Sequence, residues 1–450
     1  MVVAPLYYQD DLIGLLELGS PHRGDLHALN TMKLREVIPL FAMAVKRSMD
    51  ELNTRVQAII KEQCTAIHPA LEWRFRQAAL QLIQARQICA TTEMEPIVFD
   101  GVYPLYGVSD IRASSRHRSA AIQTDLFEHL SLAKTILDIA YGCKPLPILD
   151  ALTYRIRNLM SGLETGLDSG EEVTITEFLR QNIEPLFDHM QGFCPEAEEK
   201  IRDYQAALEP RLGTVYKQRK AFEESVTQIN EALSAYIDTE QEKAQAMFPH
   251  YFEKRKTDGV EYSIYIGASM APDGKFDQLY LHNLRLWQLI VMCGMVRESE
   301  RLKPLLQVPL EMAHLILVQH TPLSVRFRQD EKRFDIDGAY NMRYEIVKKR
   351  IDKATIMGTH QRLTQPGMIA IVYSQPEEAQ EYREYIAYLQ NAGYLKGDTE
   401  AYNLNDLEGA QGLKALRVAV NPDETSNGQN LNSDDLEAII DAMPQRVTEP

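Results

Sequence analysis

PIVFDGVYPLYGVSDIRASSRHRSAAIQTDLFEHLSLAKTIL, Pro96 to Leu137, is the stretch on which the reading of this chain turns. Ile97, Val98, Phe99, Val102, Tyr103, Leu105, Tyr106 and Val108 are apolar and mostly β-branched or aromatic, broken by Gly101 and Pro104, and predict one or two short strands. Ser109 and Asp110 follow. Ile111 to Arg118 then packs hydroxyls and basic side chains, His117 among them, into a polar loop ahead of a helix expected from about Ala120. Free backbone N–H groups and the positive end of a helix dipole converge at such a junction. Asp110, Arg112, Ser114, Ser115, Arg116 and Arg118 are therefore candidate anion- or nucleotide-binding residues. The arginines serve equally as solvated loop charges tied to acidic neighbours, and both readings stay open.

Val108-Ser109-Asp110-Ile111-Arg112 with the serine pair behind it resembles the first metal-binding strand of class III nucleotide cyclases, where an aspartate precedes Ile-Arg-Gly and a hydroxyl residue. Ala113 stands where that pattern has glycine. The resemblance implies a second aspartate in a Gly-Asp turn about 40 to 50 residues on, because two-metal chemistry needs paired carboxylates. At that distance the chain reads Pro145-Leu146-Pro147-Ile148-Leu149-Asp150 and turns helical. The expectation is a chain without the second aspartate, with no catalytic residues and no metal site, and no cofactor is named by its residues.

Working outward, 450 residues suffice for several domains with sizeable cores. A net charge of -16 disfavours broad nucleic-acid or anionic-membrane binding, which needs a dominant basic face. Leu286 to Val296 is among the longest apolar runs, is interrupted by Gln288, and is too short to span a bilayer. The first residues lack a basic segment ahead of an apolar one. Cys64, Cys89, Cys143, Cys194 and Cys293 are odd in number and scattered, so they read as free thiols of a reducing cytoplasm.

Val2 to Tyr8 and Leu12 to Leu18 are strand-like runs joined by Gln9-Asp10-Asp11, with a helix starting around Asp25 to Thr31. This resembles the C-terminal third of a GAF domain, carried by Val2 to Leu6, by Ile13-Gly14-Leu15-Leu16-Glu17-Leu18 and by the helix from about Ala28. The rest of such a domain would lie upstream, so Met1 begins a fragment or follows a shortened gene start, and the family's ligand binding does not carry over. In the helix that follows, Ile38, Ala42, Val45, Met49, Leu52, Val56 and Ile59 form three heptads of an a/d seam. The expectation is a parallel homodimer; the alternative partner is a later helix of the same chain. Pro39 is expected to kink the helix.

Beyond Ala120 the spacing is helical. Ile122, Leu126, Leu130, Ala133 and Leu137 line one stripe, further helices are expected over 148–163 and 176–190, and 195–247 reads as one long helix or a hairpin. Composition shifts at Lys254 to Gly259, taken as a boundary before an α/β domain with strands near 261–266, 315–319, 324–327, 333–336, 368–373 and 413–420. Glu311-x-x-His314 has the spacing of a di-iron ligand pair but lacks a second pair and reads as packing. Lys348, Lys349, Arg350 and Lys353 read as a solvated helix face. Asn421 to Pro450 is expected to be a disordered acidic tail in which Leu436, Ile439, Ile440 and Met443 could dock on a protein partner.

The fold class expected is α+β: a partial GAF-like hairpin and coiled-coil helix (1–62), a connector helix and strand (63–119), a helical bundle or rod (120–253), an α/β domain (254–420) and the tail (421–450). As a whole the chain resembles bacterial GAF-domain-containing proteins of uncharacterised function. That resemblance implies a cytoplasmic signalling or scaffold protein. The competing reading is a cyclase-like enzyme or nucleotide-binding protein working at Ser109 to Arg118.

Overall fold

The computed structural model describes residues 1–423 apart from 23–24, 28–31, 65–66, 89–91, 167–169, 329, 331–332, 338–341, 360 and 408–409. Val2–Tyr8 (β1) and Asp11–Leu18 (β2) pair antiparallel as the expected hairpin, turning at Gln9 with φ 55°. Leu34–Cys64 (α1) carries Pro39 inside it, and Glu72–Ile88 (α2) packs back on α1 through Val56, Ile60, Leu71 and Phe75. Ala42 and Val56, expected on an intersubunit seam, are fully covered within the chain, whereas Met49 and Leu52 are exposed. The seam is thus spent partly on the chain's own elements, because α2 follows closely enough to fold back on it.

Val98–Ile111 (β3) is one strand of 14 residues, where two short ones were expected. The register slips between Phe99 and Val102, at Gly101 with φ 66°, and this bulge lets one edge of β3 change partners. Pro104 lies in the stretch between those two pairings, where that edge has no neighbour to miss its N–H. Gly107 is required by close approach: a Cβ there would lie 2.5 Å from the Tyr262 ring across the ladder.

A helical lobe follows: Ser114–Cys143 (α3), Pro147–Thr165 (α4), Glu171–Phe178 (α5), a π-helical turn at Leu179–Ile183, Phe187–Met190 (α6) and Pro195–Ala207 (α7). Leu208–Glu209 (β4) and Thr214–Val215 (β5) make a small hairpin before Gln218–Met247 (α8), so 195–247 takes the hairpin alternative. The lobe has its own core, with Leu130, Ile156, Leu179, Ile201 and Tyr204 all buried. Cys143, at the end of α3, is disulfide-bonded to Cys194, just before α7, which corrects the reading of five free thiols. Sequence spacing hid this pair because α4 to α6 fold the intervening chain back on itself. Cys64 and Cys293 are buried, and Cys89 lies outside the described residues.

Tyr251–Thr257 (β6) and Gly259–Ile266 (β7) form a hairpin; Gln278–Leu302 (α9), Met312–Leu317 (β8), Leu323–Arg328 (β9) and Arg333–Asp337 (β10) follow. Met342–Arg350 (α10), Met368–Tyr373 (β11), Pro376–Asn391 (α11), Leu395–Asn403 (β12) and Lys414–Val420 (β13) complete the described chain. The strands run β6-β7-β3-β8-β11-β13-β12, with β9 and β10 beside the first part of β3. Only β8 and β11 are parallel among these pairs.

Two expectations fail here. Lys254 to Gly259 is no boundary, because it lies in a hairpin whose second strand pairs with β3 over Tyr103 to Asp110. The expected connector segment and α/β domain therefore share one sheet, and the helical lobe is inserted between its strands. Strand β12 was not expected at all: Leu395–Asn403 is mostly polar and covers an edge. The sheet buries one face under α8, α9 and α11, and the other under α10 with Ile351, Leu363 and Leu404. The expected α+β class stands. Among the described residues no helix is long and apolar enough to cross a membrane. The tail beyond Asp423 lies outside the described residues.

Candidate functional site

Strand β3 ends at Ile111, and its last residues set the geometry of the candidate site. Asp110 stands opposite Gly259 of β7 on one side and Ala313 of β8 on the other. The β6–β7 turn is Thr257-Asp258-Gly259, so it brings a second aspartate beside the end of β3. This aspartate lies far along the chain from β3, beyond the helical lobe, so distance along the chain concealed it. The Ile111 amide donates to the Asp258 carbonyl (2.8 Å), fixing the turn to the strand.

The polar loop of the sequence reading is shorter than expected, because α3 begins at Ser114. Ala113 precedes it with φ 55°, in the left-handed region that glycine enters without cost. This is the residue that replaces the glycine of the cyclase pattern, and it keeps a glycine-like backbone. Ser114, 7% exposed, donates through Oγ to Asp258 Oδ2 (2.7 Å). One turn later Arg118 Nη2 donates to Asp258 Oδ1 (2.7 Å), and its guanidinium lies 5.7 Å from the centre of the Phe222 ring. Both oxygens of Asp258 are thus engaged, one by a hydroxyl and one by a cation.

Arg112 points elsewhere: its amide donates to the Glu311 carbonyl (2.8 Å), and its side chain reaches Gln365 Oε1 (3.3 Å) and Glu311 Oε2 (3.8 Å). Ser115 and Arg116 are exposed at the start of α3. Of the six candidates, then, Ser114 and Arg118 converge on Asp258, Arg112 joins Glu311, and Asp110 sits between. Sequence reasoning missed Asp258 and Gln365 and read Glu311 as packing; the Asp-Gly dipeptide at Asp258 was a turn signal read as a domain boundary.

Beneath the site is a buried polar relay. Ser109 Oγ lies 2.8 Å from His314 Nδ1, and His314 Nε2 lies 3.3 Å from Ser299 Oγ. The Ser299 hydroxyl proton goes to the Val296 carbonyl (2.8 Å), so Nε2 of His314 carries the ring proton and Nδ1 accepts from Ser109. Burial pushes the His314 imidazole down to about 3. His314 faces this relay from β8, not a metal: Glu311 precedes that strand and pairs with Lys303 and Arg112. Among the described residues no group of three or more His, Cys, Asp or Glu is placed to hold a metal ion.

On the sheet face shared with Asp110, Tyr106 donates to Glu261 Oε2 (2.9 Å), and Lys348 donates to Ser263 Oγ (2.9 Å) while lying 5.0 Å from the centre of the Tyr106 ring. Lys348 was expected on a solvated helix face; it bridges α10 to β7 instead.

No protein-family model matches the chain, and no curated protein matches it. Among solved structures the chain is similar to the guanylyl cyclase Cya2, at 15% identity over 45% of this chain and 84% of that one, with a TM-score of 0.25. A likeness that weak carries no argument, and the reading of the site rests on its own geometry.

Proposed function

We propose that the chain is a regulatory or scaffold protein of the cytoplasm, in which a GAF-like hairpin and helix α1 are coupled to an α/β sheet that has no defined catalytic activity of its own. The observation that carries this reading is the double engagement of Asp258 by Ser114 and Arg118. A divalent cation seeking the Asp110–Asp258 pair has to displace a guanidinium already bonded there, so the positive charge that the pair would recruit is supplied by the chain itself. Leu40 and Phe41, 64% and 45% exposed on α1, support pairing of α1 with a second copy, a homodimer being the expected assembly.

The test is incubation of the purified chain with ATP or GTP and manganese or magnesium, with products separated by chromatography, beside thermal shifts with each metal. No cyclic nucleotide and no metal shift are expected from the wild type. A manganese shift is expected on Arg118→Ala, which returns Asp258 to a cation. Cyclic nucleotide formation by the wild type, lost in Asp110→Asn, would instead establish the second reading, a cyclase-like enzyme. That reading draws its support from Asp258 standing in the turn beside Asp110.

A further inference from the structure

Cys143 and Cys194 differ from the other described cysteines in where they lie. Cys143 is exposed and Cys194 is half-buried, whereas Cys64 and Cys293 are buried and burial pushes the Cys293 thiol up to about 12. Cys194 is also the residue that precedes the 13-residue helix α7. Beside Cys143, the Lys144 ammonium lies 5.1 Å from the centre of the Phe193 ring, which brings a cation to the loop carrying Cys194. The bond joins two helix ends at the far tip of the lobe, closing a span of 51 residues. The core of the lobe, from Leu130 to Tyr204, is packed without it. Opening the bond therefore releases a tie while leaving the core in place.

We infer that Cys143 and Cys194 are a modification site for thiol–disulfide exchange with a low-molecular-weight thiol of the glutathione class. A glutathione thiolate attacks Sγ of Cys143, breaks the Cys143–Cys194 bond and forms a mixed disulfide, and Cys194 leaves as a thiolate at the α7 N-terminus. A second glutathione thiolate attacks the glutathione sulfur of that mixed disulfide and releases Cys143. Two glutathiones are oxidised to their disulfide, the protein disulfide is reduced by two electrons, and the two protons lost by glutathione balance those taken up by the cysteines.

The test uses the wild-type full chain, equilibrated with mixtures of reduced and oxidised glutathione, quenched in acid, alkylated and mapped by peptide mass spectrometry. The expected result is a ratio of oxidised to reduced pair that changes about tenfold for each tenfold change in the ratio of oxidised glutathione to the square of reduced glutathione. The far-ultraviolet circular dichroism should not change. A pair that stays oxidised in excess reduced glutathione, while the urea-unfolded chain is reduced, would overturn the proposal and make the bond purely structural. So would thiols that fail to pair under oxidised glutathione. In Cys143→Ser a single glutathione adduct is expected on Cys194; adducts on Cys64 or Cys293 instead would also overturn it.

Discussion

Lowering the pH from about 7.5 to about 5.5 should remove roughly 4 kcal/mol of stability through three buried imidazoles. His129, His250 and His314 are each 1% exposed. Burial pushes His129 and His250 down to about 4 and His314 to about 3. Their hydrogen bonds are those of neutral rings. His250 Nδ1 donates to the Phe248 carbonyl (2.7 Å), leaving Nε2 to accept from Gln241. Tyr204 gives its proton to Glu184, so His129 donates from Nε2, and its Nδ1 has no partner among the described residues.

The sign follows from proton binding. Below pH 6.5, the ordinary histidine value, the unfolded chain binds protons that the folded chain refuses, so stability is full above that value and falls as the pH drops through it. At about pH 5.5 an unfolded imidazole gains about 1.4 kcal/mol from protonation, and the figure is insensitive to the folded value as long as that lies well below 5.5. Glu223 and Glu381 do not interfere. Both are lowered despite burial, Glu223 by Tyr216 and Arg219 and Glu381 by His282 and Arg285, and their contributions are lost only below their ordinary value of 4.5. Trp73 and Trp287 pack in the sheet-bearing body. Urea unfolding followed by tryptophan fluorescence therefore reads His250 and His314, about 2.8 kcal/mol of the total. A loss under about 1 kcal/mol in the body would refute the assignment of neutral buried rings.

Other perturbations test the remaining joints. Gly294→Ala places a Cβ 1.8 Å from the Tyr236 hydroxyl where α8 crosses α9, and should cost about 1–3 kcal/mol by thermal denaturation, relieved when Tyr236 is also shortened to Leu. Cys143→Ser opens a 51-residue span and should lower the stability of the lobe by up to about 4 kcal/mol by the chain-entropy estimate, measured against the oxidised wild type in urea. Ser109→Ala leaves Nδ1 of His314 without its donor and should cost about 1–3 kcal/mol; an unchanged urea midpoint would remove the relay from the account. Leu40→Asp with Phe41→Asp should halve the mass measured by light scattering if α1 pairs two copies, and an unchanged dimer mass would place that interface elsewhere.

Local chemistry made much of the chain legible. Alternation and turn residues at Gln9 marked the first hairpin, and 3.6-residue spacing marked α3, because each signal acts over a few residues. The helix α1 was legible too, but its choice of partner was not, since an apolar stripe states only that it needs a cover.

The sequence by itself determined the elements and the residues rich in chemistry: Asp110, Arg112, Ser114 and Arg118 were singled out by their types and spacing. Only the tertiary structure decided what they face. An insertion of well over a hundred residues stands between β3 and the β6–β7 turn, so no local pattern could show Asp258 beside Asp110 or Arg118 bonded to Asp258. The Cys143–Cys194 bond has the same cause, a meeting brought about by helices folding back between its ends. Helix and strand propensities act between near neighbours along the chain, whereas ion pairs and disulfides depend on proximity in space, which the packing of the sheet and lobe sets.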